Sequence, residues 1–197
     1  MPRGMHGQPL KRIQFYTTLV LALVLLCAYW SDRRLEQHKE RPWQVRAYID
    51  DYLYLAKEIE QYNNIPIPIT LAVAGLESQW GRSELARQAN NHFGIKVKPG
   101  WQGHEYCKNT QEYEDNQQAI DIWACFRKYP LIRRSYQDFA RFLDEEERYQ
   151  PLKKLEADDY VGWAEGLQNA GYATDPNYAQ KLRGLIWKYR LSEFKAK

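Results

Sequence analysis

The sequence predicts a mostly helical α+β domain with a small β-hairpin lobe, preceded by one transmembrane helix. Apolar residues recur at helical spacing in several segments, one central stretch alternates like β-strands, and residues 13–30 form an uncharged, largely apolar run. The 197 residues are 44% hydrophobic and 27% charged, which suits one folded domain with an appendage. A formal net charge of +3 is too small to indicate nucleic-acid binding, but is compatible with a polyanionic cell wall or an acidic bilayer surface.

The N-terminal run is long enough, as a helix, to cross the hydrocarbon core of a membrane. Lys11 and Arg12 precede it and favour a cytoplasmic N-terminus, which would place the following residues on the periplasmic or extracellular side. A cleaved signal peptide and a lipoprotein signal at Cys27 are alternatives, but Leu26 and Ala28 around it make a poor cleavage site. The expected organisation is a cytoplasmic tail, a signal anchor in the cytoplasmic membrane, a charged linker and a folded domain, over residues 1–12, 13–30, 31–42 and 43–197.

Helices are expected at the start of the folded domain. Apolar residues at helical spacing predict a first helix over 45–62. Pro66 and Pro68 lead into a second helix, which is apolar on most sides and should therefore be buried. Gly81 is expected to end it, and Ser83 to cap a short helix through about residue 88.

The pattern changes between about residues 93 and 129. Ile120, Ile122, Ala124 and Phe126 alternate with more polar residues, which predicts one or two short hairpins. Further helices are expected over 131–146, 158–169 and 176–191, with Asp158 or Asp159 capping the second, and with Asp175 capping the third and Pro176 at its first position.

Glu77 is the strongest functional candidate, because it is the one acidic residue in the apolar segment LAVAGLESQWG. A carboxyl group at the end of a buried helix must be paired, hydrated or held protonated. A protonated carboxyl with a raised pKa is what a general acid needs near neutral pH. Trp80 is expected on the same helical face, where it could line a sugar-sized cleft. The structural alternative is an ion pair with Arg82 or Arg87. An acid on a helix beside a β lobe is the layout of lysozyme-like enzymes.

Five blocks of sequence carry a family resemblance. In chain order they are AGLESQWGRSELARQANNHFGIK, WQG, TQEYED, FRKYPLIRRSYQDFARFL and LQNAGYATDPNYAQKL. Together, over about residues 65–185, they resemble the bacterial endo-β-N-acetylglucosaminidases of glycoside hydrolase family 73, including the muralytic domain of the flagellar rod hydrolase. Residues 1–64 show no rod-assembly domain, so a role in flagellar assembly is not expected.

The resemblance implies that the domain over 43–197 cleaves peptidoglycan glycan strands on the reducing side of N-acetylglucosamine. It assigns Glu77 to the general acid and Glu112, in TQEYED, to the second carboxylate that glycoside hydrolysis requires. Glu114 and Asp115 stay open as rivals, because the turn after this block departs from the family pattern. Sequence alone does not decide between retention, inversion and help from the substrate's acetamido group.

The resemblance also marks residues around the expected cleft. Tyr172 and Tyr178 match aromatic residues at its border, where a hydroxyl could orient the acetamido group or a water. Asn91 and Phe93 match an N-x-F-G turn that joins the two lobes. Trp101 is either a platform for a sugar or an anchor between the lobes, and both uses stay open.

The spacing of the cysteines and histidines indicates whether a disulfide or a metal site is expected. Cys107 and Cys125 could form a disulfide in an exported domain, the alternative being two buried free thiols. No HExxH or CxxC spacing is present, so neither a metal nor another cofactor is expected.

Two other functions compete with the glucosaminidase. A lytic transglycosylase also uses one Glu after an apolar helix and needs no second carboxylate, so an inert Glu112 would favour it. A tether that grips the glycan without cutting it is the alternative without catalysis.

Overall fold

The computed structural model describes residue 16 and residues 19–29, 41–113 and 118–194. The chain divides into two units, Met1–Pro42 and Trp43–Lys197. In the first unit, residues 19–29 are helical with exposed apolar side chains. No helix among the described residues is both long and apolar enough to span a membrane. Part of the predicted anchor, including residues 13–15 and 30, and the predicted linker up to residue 40 lie outside the described residues.

The second unit is mostly helical with one antiparallel hairpin in its described part, which confirms this aspect of the predicted fold. Helices α1 to α6 are Trp43–Asn63, Ile67–Ser78, Glu84–Ala89, Ile132–Glu145, Tyr160–Asn169 and Tyr178–Lys188. Strands β1 and β2 are His104–Tyr113 and Ala119–Lys128, and short 3₁₀ helices follow at Glu147–Lys154 and Leu191–Glu193.

Helix α2 is the centre of the core. Every residue from Ile67 to Gly75 is buried, and the helix packs against α1, α5 and α6. A helix surrounded by protein needs no polar face, which explains its nearly unbroken apolar sequence. The core is therefore built around the helix that carries Glu77 at its C-terminal end.

Helix α2 ends earlier than the sequence predicts. Its last residue is Ser78, and Gln79, Trp80 and Gly81 all have positive φ angles, of 50°, 57° and 77°. The Ser78 hydroxyl accepts a hydrogen bond from the Gly81 amide at 2.8 Å, which stabilises this reversal of the chain. The chain thus leaves the helix axis immediately after Glu77 and Ser78.

The hairpin is attached to the helices through β2. The Val97 amide donates to the Cys125 carbonyl and the Arg127 amide donates to the Ile95 carbonyl, so residues 95–97 pair with the free edge of β2. In α4, the buried Asp138 accepts hydrogen bonds from Arg127 at 2.8 Å and from the Tyr129 hydroxyl at 2.5 Å. A buried carboxylate is tolerated only when it is satisfied in this way, so these contacts fix the orientation of the hairpin.

A disulfide joins the two strands. Cys107 and Cys125 occupy facing positions in the register and are bonded to each other.

Three helix starts show where local signals succeed and fail. Ser83 caps α3, accepting from the Ala86 amide, and Asp159 caps α5, accepting from the Gly162 amide, as predicted. The prediction that the last helix begins at Pro176 was wrong. The carboxylate of Asp175 accepts from the Asn177 amide and forms a turn, so α6 begins two residues later, at Tyr178.

Candidate active site

A cleft of about 670 Å³ opens beside the C-terminal end of α2. Its walls come from the end of α2, residues 93–98, the hairpin and the segment that leads into α6. Glu77 lines this cleft together with Tyr172 and Tyr178, so the fold brings these three predicted residues together.

Glu77 is half-buried, and one of its oxygens is held by a tyrosine. The hydroxyl of Tyr178 donates a hydrogen bond to Glu77 Oε1 at 3.0 Å. Burial, and then the neighbouring Glu77 carboxylate, raise the pKa of Tyr178 well above its ordinary value. The phenol therefore keeps its proton and acts as a donor to Glu77 at all working pH values.

The second oxygen of Glu77 faces a glycine. A Cβ atom added to Gly94 would lie 3.1 Å from Glu77 Oε2, and the φ angle of Gly94 is +65°. A side chain here would both strain the backbone and press on the carboxylate. Gly94 therefore allows the carboxylate of Glu77 to lie close to the backbone.

Tyr172 supports this arrangement from behind. Its hydroxyl donates to the Phe93 carbonyl at 2.9 Å, and its ring stacks on that of Tyr178 with centroids 5.7 Å apart. Burial, with a smaller contribution from Glu77, raises the pKa of Tyr172 well above its ordinary value, so this phenol also stays protonated. The hydroxyl of Tyr172 is bonded to the backbone just before Gly94, and the residue positions both that backbone and Tyr178.

Glu112 lies in β1 opposite Ile120, two residues beyond Thr110, which lines the cleft. The side chain of Glu112, like residues 114–117, is outside the part that the structure describes. The choice of second carboxylate among Glu112, Glu114 and Asp115 stays a prediction.

The prediction that Trp80 lines the cleft was wrong. The left-handed turn after Ser78 carries the indole away from the face of Glu77 and against α2, where a Cβ on Gly75 would lie 2.7 Å from the ring. Its ring packs edge-on against Tyr48 and Tyr189, with centroids 5.6 and 5.2 Å apart. Trp80 is thus a packing residue, because the helix on which the spacing argument rested stops two residues earlier.

Asn91 and Phe93 shape the turn between the two lobes. The buried Asn91 amide donates to the Ile95 and Arg127 carbonyls and accepts from the Phe93 and Ile95 amides. The Phe93 ring is 1% exposed and stacks on Phe139 at 4.2 Å. Phe93 lines the cleft and Asn91 does not, and a contact of either residue with substrate stays a prediction.

Of the two uses left open for Trp101, the structure shows the anchor. The indole stacks on the Arg127 guanidinium at 4.7 Å and donates from Nε1 to the His104 carbonyl at 3.1 Å. It covers the residue that ties the hairpin to Asp138, and it does not line the cleft. The role of Trp101 as a substrate platform is therefore corrected.

His92 lies behind the turn in a buried aromatic cluster and makes stability depend on pH. Its Nδ1 is hydrogen-bonded to the Tyr48 hydroxyl at 2.7 Å, and burial lowers the pKa of His92 from 6.5 to about 4. The unfolded chain, in which His92 has its ordinary pKa, binds a proton at higher pH than the folded chain does. The free energy of unfolding should therefore fall by about 3 kcal/mol from this group as the pH drops from about 6.5 towards 4. His92→Gln lacks this titration, so its stability deficit relative to wild type at pH 7 should shrink by pH 4. Urea unfolding at both pH values measures this, and a deficit that does not change with pH would contradict it.

The sequence reasoning did not single out the basic residues of the cleft. Lys96, Lys98, Lys108, Arg148 and Lys181 all line it. The only local signal was the K-V-K spacing after the N-x-F-G turn, since alternate residues of an extended segment share a face.

The Asp175 carboxylate also lines the cleft and was predicted only as a helix cap. Burial alone would raise the pKa of Asp175, but Lys181 and the Asn177 amide lower it below its ordinary value. Asp175 is therefore an ionised, paired carboxylate.

In the described part of the chain, one group of side chains has the proximity of metal ligands: Glu105, Cys107 and Cys125. Because both cysteines are in the disulfide, no thiolate is available there.

Comparison with known proteins agrees with this geometry. The glucosaminidase family, described as mannosyl-glycoprotein endo-beta-N-acetylglucosaminidase, matches residues 53–191, which include α2, the hairpin and α6. The chain belongs to the glucosaminidase family. That membership agrees with the resemblance to glycoside hydrolase family 73 seen in the sequence.

Relatives of this glucosaminidase domain occur in several bacteria. The exo-glucosaminidase LytG of Bacillus subtilis is 37% identical over 187 residues, covering 91% of this chain and 64% of LytG. The peptidoglycan hydrolase FlgJ of Escherichia coli K12 is 33% identical over 149 residues, covering 74% of this chain and 47% of FlgJ. The chain thus spans less than two thirds of either relative.

Solved structures share the fold of the glucosaminidase domain. The catalytic domain of the autolysin Auto from Listeria monocytogenes superposes with a TM-score of 0.64 at 33% identity, covering 78% of this chain and 88% of that domain. The glycoside hydrolase domain of Salmonella typhimurium FlgJ, truncated at its C-terminus, gives a TM-score of 0.57 at 31% identity, covering 77% of this chain and 99% of that one.

Proposed function

We propose that this chain hydrolyses peptidoglycan glycan strands on the reducing side of N-acetylglucosamine. The observation that carries the proposal is the half-buried Glu77 in the cleft, held by Tyr178 and faced by Gly94, in a domain of the glucosaminidase family. The relatives named as a peptidoglycan hydrolase and an exo-glucosaminidase support the same substrate and bond.

In this mechanism Glu77 is the general acid. A carboxyl group that holds a proton at the cleft wall can give it to the departing glycosidic oxygen. Tyr178 fixes Oε1 by its hydrogen bond, and Oε2 lies beside Gly94. The acid is therefore held in a defined position at the wall of the cleft.

The second carboxylate of the proposal is Glu112. Glycoside hydrolysis passes through a cationic transition state that a carboxylate must stabilise, by activating water or by direct attack. The position of Glu112 on β1, two residues from the cleft-lining Thr110, supports this assignment. A Glu112→Gln variant with full activity would transfer the role to Glu114 or Asp115, or favour the transglycosylase reaction.

The products of peptidoglycan digestion test the reaction. The purified 197-residue chain is incubated with peptidoglycan, the products are reduced with borohydride, and the new ends are identified by mass spectrometry. Reduced N-acetylglucosamine ends are expected, and the strand-length distribution over time separates cuts within strands from release at the ends. Anhydro-muramyl ends would replace the proposal with a lytic transglycosylase, and the absence of new ends would favour a glycan-binding tether.

We further propose that residues 13–30 anchor the domain to the cytoplasmic membrane, with residues 43–197 on the periplasmic or extracellular side. The uncharged N-terminal run supports the anchor, and the Cys107–Cys125 disulfide supports an oxidising compartment. Alkaline carbonate extraction of membranes should leave the chain in the pellet. A chain that is released by carbonate, or secreted without residues 1–30, would refute the anchor.

A further inference from the structure

The cleft carries more basic than acidic side chains. Among the described residues that line it, two are acidic, Glu77 and Asp175, and five are basic: Lys96, Lys98, Lys108, Arg148 and Lys181. A cleft lined mainly by one sign of charge concentrates ligands of the opposite sign. This excess of positive charge does not attract a neutral glycan such as chitin, but it attracts a glycan that carries carboxylates.

Two of these lysines are held in place by acids outside the cleft lining. Lys98 Nζ lies 2.5 Å from Glu146 Oε1, and Lys108 Nζ lies 2.7 Å from Glu84 Oε2. The side chains of Lys98 and Lys108 remain 42% and 27% exposed. An ammonium group has three donors, so a lysine positioned by one carboxylate still has donors for another anion.

The basic side chains come from both lobes. Lys98 follows the segment paired with β2, and Lys108 lies on β1. Arg148 and Lys181 belong to the helical part, in the first 3₁₀ helix and in α6. A strand that places its scissile bond at Glu77 therefore passes between two basic walls.

Resting on the proposed function, we propose that Lys98 and Lys108 make this site selective for glycan strands that carry carboxylates. In peptidoglycan those carboxylates belong to the peptide stems, or to the lactyl group of any N-acetylmuramic acid that carries no stem. Charge complementarity of this kind raises the rate of productive encounter and discriminates against neutral strands. The two lysines act on substrate capture, while the chemistry stays with Glu77.

The test compares one set of strands in three chemical forms. The first form is solubilised, stem-bearing peptidoglycan strands. The second is the same strands with their carboxylates converted to neutral amides by carbodiimide coupling with ammonia. The third is strands stripped of their stems by an amidase, which hydrolyses the amide bond to the stem and so frees the lactyl carboxylate. The enzymes are wild type, Lys98→Gln/Lys108→Gln and the charge-retaining Lys98→Arg/Lys108→Arg. Lys57→Gln, at an exposed position on α1 away from the cleft lining, is the matched control.

On stem-bearing strands, the glutamine double variant should lose about 10-fold in kcat/KM, mainly through KM, with a weaker dependence on salt. The arginine variant and Lys57→Gln should match wild type. On amidated strands, wild type and the glutamine variant should be equally poor. On stripped strands, a loss in the variant would show that the lysines also recognise the freed lactyl carboxylate, and equality with wild type would show that they recognise only the stem carboxylates.

Two results would overturn the inference. One is equal cleavage of stem-bearing strands by wild type and the glutamine variant. The other is an undiminished loss in that variant on amidated strands, which would make the lysines structural. Failure of the proposed function is distinct, because wild type would then cleave none of the three forms.

Discussion

Glu77→Gln should abolish glycan cleavage, lowering kcat by about 10²- to 10⁴-fold, and leave the fold and glycan binding intact. Glutamine keeps the shape of the side chain. Its amide oxygen can also accept the hydrogen bond that the Tyr178 hydroxyl donates to Glu77 Oε1 at 3.0 Å. Glutamine has no acidic proton to donate to the departing glycosidic oxygen. Rates on purified peptidoglycan, binding to insoluble peptidoglycan and thermal unfolding measure the three parts of this expectation, with the exposed Glu156→Gln as control.

A substrate with a better leaving group separates general-acid catalysis from other roles of Glu77. A dinitrophenyl β-glycoside of N-acetylglucosamine releases a phenolate that needs no proton, so Glu77→Gln should lose far less activity on it than on peptidoglycan. An equal loss on both substrates would assign Glu77 to stabilisation of the cationic transition state instead. Full activity of the variant on peptidoglycan would remove Glu77 from the mechanism.

The central helix and its acid could be predicted because their signals are local. An apolar stretch with one carboxylate at its end already implies a buried helix that presents that carboxylate at an edge of the core. The hairpin was predictable for the same reason, since alternation along β2 reflects one packed face and one exposed face. These features depend on residues that are neighbours in the chain.

The misplaced residues depend on how the chain leaves its helices. Trp80 has the spacing of a cleft residue, but the Ser78 hydroxyl and three left-handed residues turn it under α2. Asn91 has the composition of a binding residue, but four backbone groups around the turn use all of its amide. Only the folded backbone shows that the Trp80 ring is packed against α2 and that the Asn91 amide is hydrogen-bonded to the backbone.

The basic walls of the cleft could not be predicted as a whole, because beyond the K-V-K spacing after the N-x-F-G turn they have no sequence signature. Lys98, Lys108 and Lys181 are spread over more than 80 positions and meet only when the hairpin and α6 close around Glu77. In the sequence alone, each of these lysines looks like an ordinary solvent-exposed lysine.

Gly94→Ala should lower kcat by more than its effect on the free energy of unfolding can explain. A left-handed conformation at φ +65° costs an alanine about 1–2 kcal/mol. The new Cβ would also lie 3.1 Å from Glu77 Oε2, so the carboxyl must move away from it. A contact of this length requires the carboxyl to move by a few tenths of an ångström. Because displacing a reacting group by about 1 Å costs about 10²-fold in rate, kcat should fall measurably but by less than about 10²-fold, while the unfolding free energy falls by no more than about 2 kcal/mol.

Gly100→Ala is the matched control, because it imposes the same kind of backbone cost without the contact. The φ angle of Gly100 is +93°, and nothing lies within 4 Å of its added Cβ. Urea unfolding should therefore give the two variants comparable losses of stability, while only Gly94→Ala loses activity. If both variants keep wild-type kcat, the contact of Gly94 with Glu77 Oε2 does not control catalysis. If both lose activity equally, the backbone strain of the lobe, rather than the contact with Glu77, explains the glycine.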